Sequence, residues 1–340
     1  MDELYKKANY IVTGATGYVG NMIVKRLMND GCQVVGLIRS VEKANRVFKD
    51  QAPLYVIGDI LDDQVIDELF KKADRNTVVI HTAAEVSIGE VSMERLYMVN
   101  VEGTRKICEA CVKHNVSKLL HISSSEAIPH GLKLSPDLKN YIPNPKKVRK
   151  GYNRSKSMAD QVVLDYVHKE GLDASILIIA GVLGPGDYTV SHMSQVFIDY
   201  IEGKLPVSIA GGYNDFDIRD LTDVLNNIVN KAKKGEAYLF ANRPDEINEV
   251  LGYIRKKMNA KKIGTFPLWA AYVCLPFLWI YSKITSSRPL YTLSALESLQ
   301  ADVDYNLEKV KKEFDYSPRE LEVTVNDHVD FLIENGFIRL

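Results

Sequence analysis

The chain of 340 residues carries 43 Lys+Arg against 44 Asp+Glu, a net charge of −1, with 46% hydrophobic and 26% charged residues. That balance excludes a disordered, collagen-like or fibrous chain and gives no global attraction to nucleic acid, whose binding depends on cations that neutralise phosphates. The length suits one large α/β unit, or a main domain with a smaller second lobe, and neither needs a metal or disulfide staple to fold.

The charged start MDELYKKANYIVTG is expected to enter a strand directly, with no secretory leader, and the four cysteines Cys32, Cys108, Cys111 and Cys274 then imply a reducing cytoplasm. Cys108 and Cys111 fall in a helical pattern without a second pair or a zinc-spaced histidine, so buried helix positions are predicted and no metal. From residue 8 to about 180, the β-branched runs ANYIVT, QVVGLI, LYVIGD, TVVIHTA, KLLHISS and ASILII alternate with helical stretches such as YVGNMIVKRLMND and SMADQVVLDYVHKE. That rhythm predicts a doubly wound α/β fold, a parallel sheet with helices on both faces. Beyond Gly184 it breaks into helical segments and Gly/Pro turns, so the expected division is a dinucleotide-binding domain over 1–180 and a smaller substrate lobe over 181–340, interleaved with the first.

The first strand runs into Thr13-Gly14-Ala15-Thr16-Gly17-Tyr18-Val19-Gly20 and then into an amphipathic helix. Glycines at this spacing allow a tight turn and close backbone approach to a diphosphate at a helix N-terminus, which nominates Gly14, Thr16, Gly17, Tyr18 and Gly20 as cofactor contacts. The second strand ends in Leu37-Ile38-Arg39-Ser40, where enzymes that bind NAD commonly place a carboxylate. Arg39 with Ser40 there suits a 2′-phosphate, so NADP(H) is the preferred cofactor and NAD(H) the alternative. Asp59 and Ile60 close the third strand, where they either border the adenine or, for Asp59, cap the next helix.

After the fifth strand come Ser123-Ser124-Ser125-Glu126, and Tyr152-Asn153-Arg154-Ser155-Lys156 opens a long helix. Tyr152 and Lys156 share a helix face, an ammonium beside a phenol is expected to lower the phenol pKa, and a serine hydroxyl can polarise the same substrate oxygen. Together they can move a proton at a carbonyl.

TGATGYVG, the HTAA segment at 81–84, Asn100 in NVEGT, the serine cluster and YNRSK occur in the order in which the extended short-chain dehydrogenase/reductase superfamily carries them, and over essentially the whole length the chain resembles that superfamily. The resemblance implies a Rossmann-type fold with Thr82, Ala83 and Ala84 along the dinucleotide. It makes Tyr152 the general acid/base, Lys156 its tuning charge and a ribose contact, Ser125 the group that orients the substrate oxygen (Ser124 if the register is one earlier), and Asn100 the support of the proton-relay region. Within the superfamily the chain is most similar to the dihydroflavonol reductase and 3β-hydroxysteroid dehydrogenase group, although Ile179 stands where that group usually has proline. Sugar-nucleotide epimerases commonly carry an asparagine where this chain has Gly181. The expectation is therefore an NADP(H)-dependent oxidoreductase acting on a secondary alcohol or ketone of a hydrophobic, steroid-like or polycyclic molecule. The alternatives are a sugar-nucleotide epimerase or dehydratase that retains NAD, and a non-catalytic dinucleotide sensor.

Two features lie outside this scheme. Residues 263–282, IGTFPLWAAYVCLPFLWIYS, carry no formal charge and lie between Lys261-Lys262 and Lys283, which fits either a packed lobe helix or a peripheral membrane contact, with a spanning helix third. Pro145-Lys146-Lys147-Val148-Arg149-Lys150 is expected to be a loop, solvated or facing an anion, and to flank the same substrate entrance as the apolar stretch. The helical patterns from Val91 to His114 and after Tyr152 permit a homodimer.

Overall fold

The computed structural model describes residues 3–86, 92–129, 138, 141–273, 296 and 305–338. Val91, Cys274 and residues 274–282 of the apolar stretch therefore lie outside the described residues. The chain forms two units, the first of Met1–Ala180, Ile218–Phe240 and Asn306–Ser317, the second of Gly181–Asp217, Ala241–Tyr305 and Pro318–Leu340. The first crossing follows Ala180, and the later part of the chain is divided between the two units. Two of its segments return to the first unit, one of them to supply a sheet strand.

The first unit is built on seven parallel strands: β1 (Asn9–Thr13), β2 (Gln33–Ile38), β3 (Leu54–Ile57), β4 (Thr77–His81), β5 (Lys118–Ser124), β6 (Ala174–Ile179) and the strand Ala237–Phe240. From one edge the order is Ala237–Phe240, β6, β5, β4, β1, β2, β3. β4 and β6 are buried at every position, as central strands covered on both faces must be, whereas β3 at the edge exposes Leu54 and Ile57. The order reverses between β1 and β4, and the carboxyl ends of those strands open the crevice where doubly wound sheets bind ligands.

The chain opens with a helical turn, α1 (Glu3–Lys7), before β1 rather than entering the strand directly, because the Tyr5 hydroxyl donates to Asp30 at 2.8 Å and the Tyr10 hydroxyl to the Tyr5 carbonyl at 2.8 Å. Helix α2 (Tyr18–Asn29) buries Gly20, Ile23, Val24 and Leu27 on one stripe. Helices α3 (Val41–Phe48) and α4 (Asp63–Phe70) start on the side chains of Ser40 and Asp62, which accept from the backbone N–H of Lys43 and Gln64. Residues 93–113 run as one continuous helical stretch, α5 (Met93–Tyr97), a π-helical turn at Met98–Glu102, and α6 (Gly103–Lys113), on which Cys108 and Cys111 are buried as predicted. Burial pushes both thiols above their ordinary range, so they are packing groups rather than a redox pair. Helix α7 (Tyr152–Lys169) packs against α6 and carries the predicted tyrosine and lysine.

The second unit has its own core, in which Phe197, Leu251, Ile254, Val325, Val329 and Leu332 of the helices His192–Ile201, Ile247–Met258 and Leu321–Glu334 meet Leu183 of the strand Gly181–Leu183. Asp187 anchors the turn that leads into the first of these helices, accepting from the Ser191 N–H and the Ser194 hydroxyl, each at 2.6 Å, and from the Thr189 hydroxyl at 2.7 Å. Burial alone would raise its carboxyl, but those hydrogen bonds prevail and hold it below the usual range. Among the described residues, no helix is long and apolar enough to cross a membrane, and none of their groupings could hold a metal ion.

Candidate active site

The glycine turn leaves no room for side chains at Gly14 and Gly20. Gly14 has φ +67°, and a Cβ on it would stand 2.9 Å from the backbone of Ala83. A Cβ at Gly20 would stand 2.2 Å from the Gly14 carbonyl oxygen and 2.8 Å from the Thr82 hydroxyl. Gly20 therefore lets α2 close on the turn, and it is not among the residues that line the cavity. Gly17 precedes α2 with no side chain capping the helix, so its first N–H groups point outward for an anion.

The segment after β4 is tied to this turn. The Thr82 hydroxyl donates to the Thr13 carbonyl at 2.7 Å, and the Ala83 N–H donates to the Thr13 hydroxyl at 3.2 Å. Behind them His81 lies within 2.7 Å of the Thr13 hydroxyl through Nδ1 and 3.0 Å of the Thr104 hydroxyl through Nε2. Because Thr104 spends its proton on the Asn100 carbonyl at 2.7 Å, the network assigns the His81 proton to Nε2. Burial, then the neighbouring His121 and Lys156, keep His81 neutral.

These elements enclose a cavity of about 320 Å³. Its walls include Gly14, Thr16, Gly17, Arg39, Ser40, Asp59, Ile60, Thr82, Ala83 and Ala84, all nominated from the sequence. Tyr18, Gly20, Tyr152 and Lys156 do not line it. The sequence reading missed Lys43, Arg95 and Val99. Lys43 had a signal, since it lies in the first turn of the helix that Ser40 caps and so shares the end of β2 with Arg39. Arg95 had none, because it comes from α5, distant along the chain. It lies 3.7 Å from Asp59 and 3.6 Å from Glu85, and Arg39 lies 3.9 Å from the same Glu85. Asp59 does not cap the following helix, a part taken by Asp62; its own Oδ1 accepts from the Leu61 N–H at 3.0 Å.

Asn100, in the π-helical turn, joins the cavity wall to α7. Its Oδ1 accepts from the Glu85 N–H at 2.7 Å, and its Nδ2 donates to the Glu85 carbonyl at 3.0 Å and to the Ser155 hydroxyl at 2.9 Å. Ser155 in turn donates to the Tyr152 carbonyl at 2.7 Å. Asn100 is thus a positioning residue that sets the first turn of α7 against the segment after β4.

At the end of β5 the hydroxyl that hydrogen-bonds Tyr152 is that of Ser124, one residue before the expected Ser125. Ser125 opens a single 3-10 turn, Ser125–Ala127, and that turn decides which hydroxyl faces the phenol. The expected lowering of the Tyr152 pKa by Lys156 is also overturned. Burial pushes the phenol up to about 12; the Ser124 hydrogen bond favours the phenolate, but Glu126 and Asp160 add to the rise. Lys156 instead donates to the Ile122 carbonyl at 2.7 Å, and burial lowers its ammonium to about 8 while Asp160 opposes the fall.

Asp160, one turn beyond Lys156, was not singled out from the sequence. It is fully buried, accepts from the Ser123 hydroxyl at 2.8 Å and the Tyr141 hydroxyl at 2.9 Å, and lies 3.4 Å from His121 Nε2. His121 pairs with His81 in the register of β4 and β5, and their rings lie 5.2 Å apart. Burial and then Lys156 keep His121 below its ordinary pKa, leaving Asp160 as the carboxylate that faces the buried Lys156.

A dinucleotide fits this arrangement. Side chains are excluded at Gly14, the N-terminus of α2 lacks a side-chain cap, and cations border the end of β2, which would hold the diphosphate and the adenosine ribose. Bound nicotinamide supplies or accepts a hydride. Tyr152, protonated at every physiological pH, can donate a proton to a substrate oxygen, and Ser124 can orient that oxygen.

The chain is 28% identical over 250 residues to "Sterol demethylase protein B" of Methylococcus capsulatus, covering 72% of this chain and 73% of that one. It is 24% identical over 342 residues to a "Putative dihydroflavonol 4-reductase" of Synechocystis sp., covering 97% and 96%. The crystal structure of UDP-glucose 4-epimerase from Thermotoga maritima superposes with a TM-score of 0.77 at 18% identity, covering 96% of this chain and 99% of that one, a likeness of fold. Residues 10–239 match the model of the NAD dependent epimerase/dehydratase family. With its glycine cradle and its tyrosine and lysine on one helix, the chain belongs to that family, the extended short-chain dehydrogenase/reductases, and is an NAD(P)-dependent enzyme of the dehydrogenase/reductase kind.

Proposed function

We propose that this protein is an NADP(H)-dependent oxidoreductase that interconverts a secondary alcohol and a ketone on a hydrophobic, steroid-like or polycyclic substrate. The observation that carries the reading is the half-buried Tyr152 phenol, hydrogen-bonded by Ser124 and kept protonated up to about pH 12, beside a lysine on the same helix face. In the reductive direction Tyr152 releases its proton to the carbonyl oxygen that Ser124 orients, and Lys156 serves as the ribose contact. NADP(H) is favoured by Arg39 and Lys43, two cations at the end of β2 in the cavity wall.

A hydrophobic substrate is supported by the similarity to "Sterol demethylase protein B" and by the surroundings of Gly181. A Cβ there would stand 1.9 Å from Asp215 Oδ1, so the asparagine that sugar-nucleotide enzymes commonly carry has no room unless Asp215 moves. The epimerase/dehydratase reading keeps its support from the family and from the fold of UDP-glucose 4-epimerase.

The test is a titration of NADPH and NADH against the purified protein, followed by a cofactor-absorbance screen of steroids, flavonoids and other hydrophobic alcohols and ketones. Preference for NADPH with turnover of such a compound supports the proposal. Copurified NAD with turnover only of nucleotide sugars replaces it with the epimerase reading.

A further inference from the structure

The charge-free stretch is the strongest feature that the dinucleotide chemistry does not use. Its described part, in the second unit, is the strand Gly264–Phe266, paired with Val207–Ile209, followed by a helical turn over 268–273. Ala271 packs inward in a cluster with Ile209 and Leu296, against which Leu268 and Tyr272 also pack. Phe266, at the end of the strand, and Trp269 and Val273, four residues apart on the helical turn, are 44%, 71% and 63% exposed. Scattered single apolar residues are normal on a surface, but three large ones within eight consecutive residues, with an indole most exposed, form a stripe of sequence that water disfavours.

The charge along this segment of the chain has one sign. From residue 250 to 296 the sequence contains no aspartate or glutamate, while Lys261 and Lys262 stand exposed immediately before the strand. Lys256 and Lys257, earlier on the preceding helix, are instead paired with Glu322 and Asp330. An outward apolar stripe led by an indole and preceded by two lysines complements a bilayer with anionic headgroups, where rings enter the headgroup and acyl boundary and ammonium groups stay at the phosphates. A second copy of the chain fits less well, because a two-fold contact through this stripe would bring the same lysine pairs together.

We propose that Phe266, Trp269 and Val273, with Lys261 and Lys262, form a docking surface for an anionic lipid bilayer. The inference does not depend on the identity of the substrate.

The test is sedimentation of the full chain with large unilamellar vesicles of phosphatidylcholine, alone or mixed with phosphatidylserine, at low and high salt. Binding to the mixed vesicles is expected, weakened by salt. The triple variant Phe266→Ser, Trp269→Ser, Val273→Ser is expected to lower the partition coefficient at least about tenfold. Lys261→Glu with Lys262→Glu is expected to remove the preference for phosphatidylserine, also roughly tenfold. Both variants should bind dinucleotide as the parent does, since none of these residues lines the cofactor cavity. A readout that needs no unfolding control is quenching of tryptophan emission by brominated phosphatidylcholine, expected in the parent and reduced in Trp269→Phe. Wild-type protein that ignores mixed vesicles, stripe variants that bind them equally well, or a stripe variant that abolishes self-association in the ultracentrifuge rather than vesicle binding would each overturn the proposal.

Discussion

Replacing Asp160 by Asn tests whether the buried carboxylate keeps Lys156 charged. The substitution is nearly isosteric, and its carbonyl can still accept from Ser123 and Tyr141. What it removes is a negative charge one helical turn from the ammonium. Side chains at that spacing stand about 6 Å apart, where opposite unit charges attract by about 3 kcal/mol at an effective dielectric constant near 20, or about 2 pKa units. Lys156, at about 8 in the parent, would fall to roughly 6 in the variant. A lysine is cationic below its pKa and loses its charge as the pH rises through it, so the basic limb of any activity that needs the cation moves to lower pH. At pH 7 the charged fraction drops from about nine-tenths to about one-tenth, while below about pH 5 the two proteins converge. The assay is the pH dependence of NADPH affinity, followed by fluorescence, with thermal melting at each pH as the check on folding. A folded Asp160→Asn protein whose basic limb coincides with that of the parent would refute the assignment of Asp160 as the partner that holds the charge on Lys156.

Tyr152→Phe is expected to abolish turnover and leave dinucleotide affinity within about twofold, and Ser124→Ala to lower kcat by roughly 10- to 100-fold against a much smaller change for Ser125→Ala; equal losses at the two serines would return the role to neither. Arg39→Ala and Lys43→Ala are each expected to weaken NADPH binding about tenfold with NADH unchanged, which paired calorimetric titrations would reveal. Gly20→Ala pushes a methyl against the Gly14 carbonyl and should lower stability by about 2 kcal/mol or more in a denaturant melt, whereas Gly252→Ala, on a helix face with nothing within 4 Å, should raise it by up to about 1 kcal/mol.

Features carried by neighbouring residues were legible in the sequence. The β-branched runs appear as strands because β-branched side chains fit a pleated sheet covered on both faces, and the glycine turn appears because a left-handed residue and a close helix approach leave no room for a Cβ. Tyr152 and Lys156 are legible for the same reason, since four residues along a helix is one turn. The sequence thus determined the fold class, the cradle and the pair on α7. The serine register was not legible, because whether Ser124 or Ser125 faces the phenol depends on where β5 ends and its 3-10 turn begins. The phenol pKa was misjudged because burial and the remote carboxylates Glu126 and Asp160 act on it, and burial cannot be read from helical spacing. Arg95 beside Asp59, and Tyr141, Ser123 and His121 around Asp160, meet only after strands far apart in sequence are paired in register. The two units likewise exchange segments at 217, 240, 305 and 317, where nothing in the composition marks a boundary. Local periodicity reports which face a residue occupies; which residues then share a buried site is decided by packing between elements, the part of the free energy that no single segment carries.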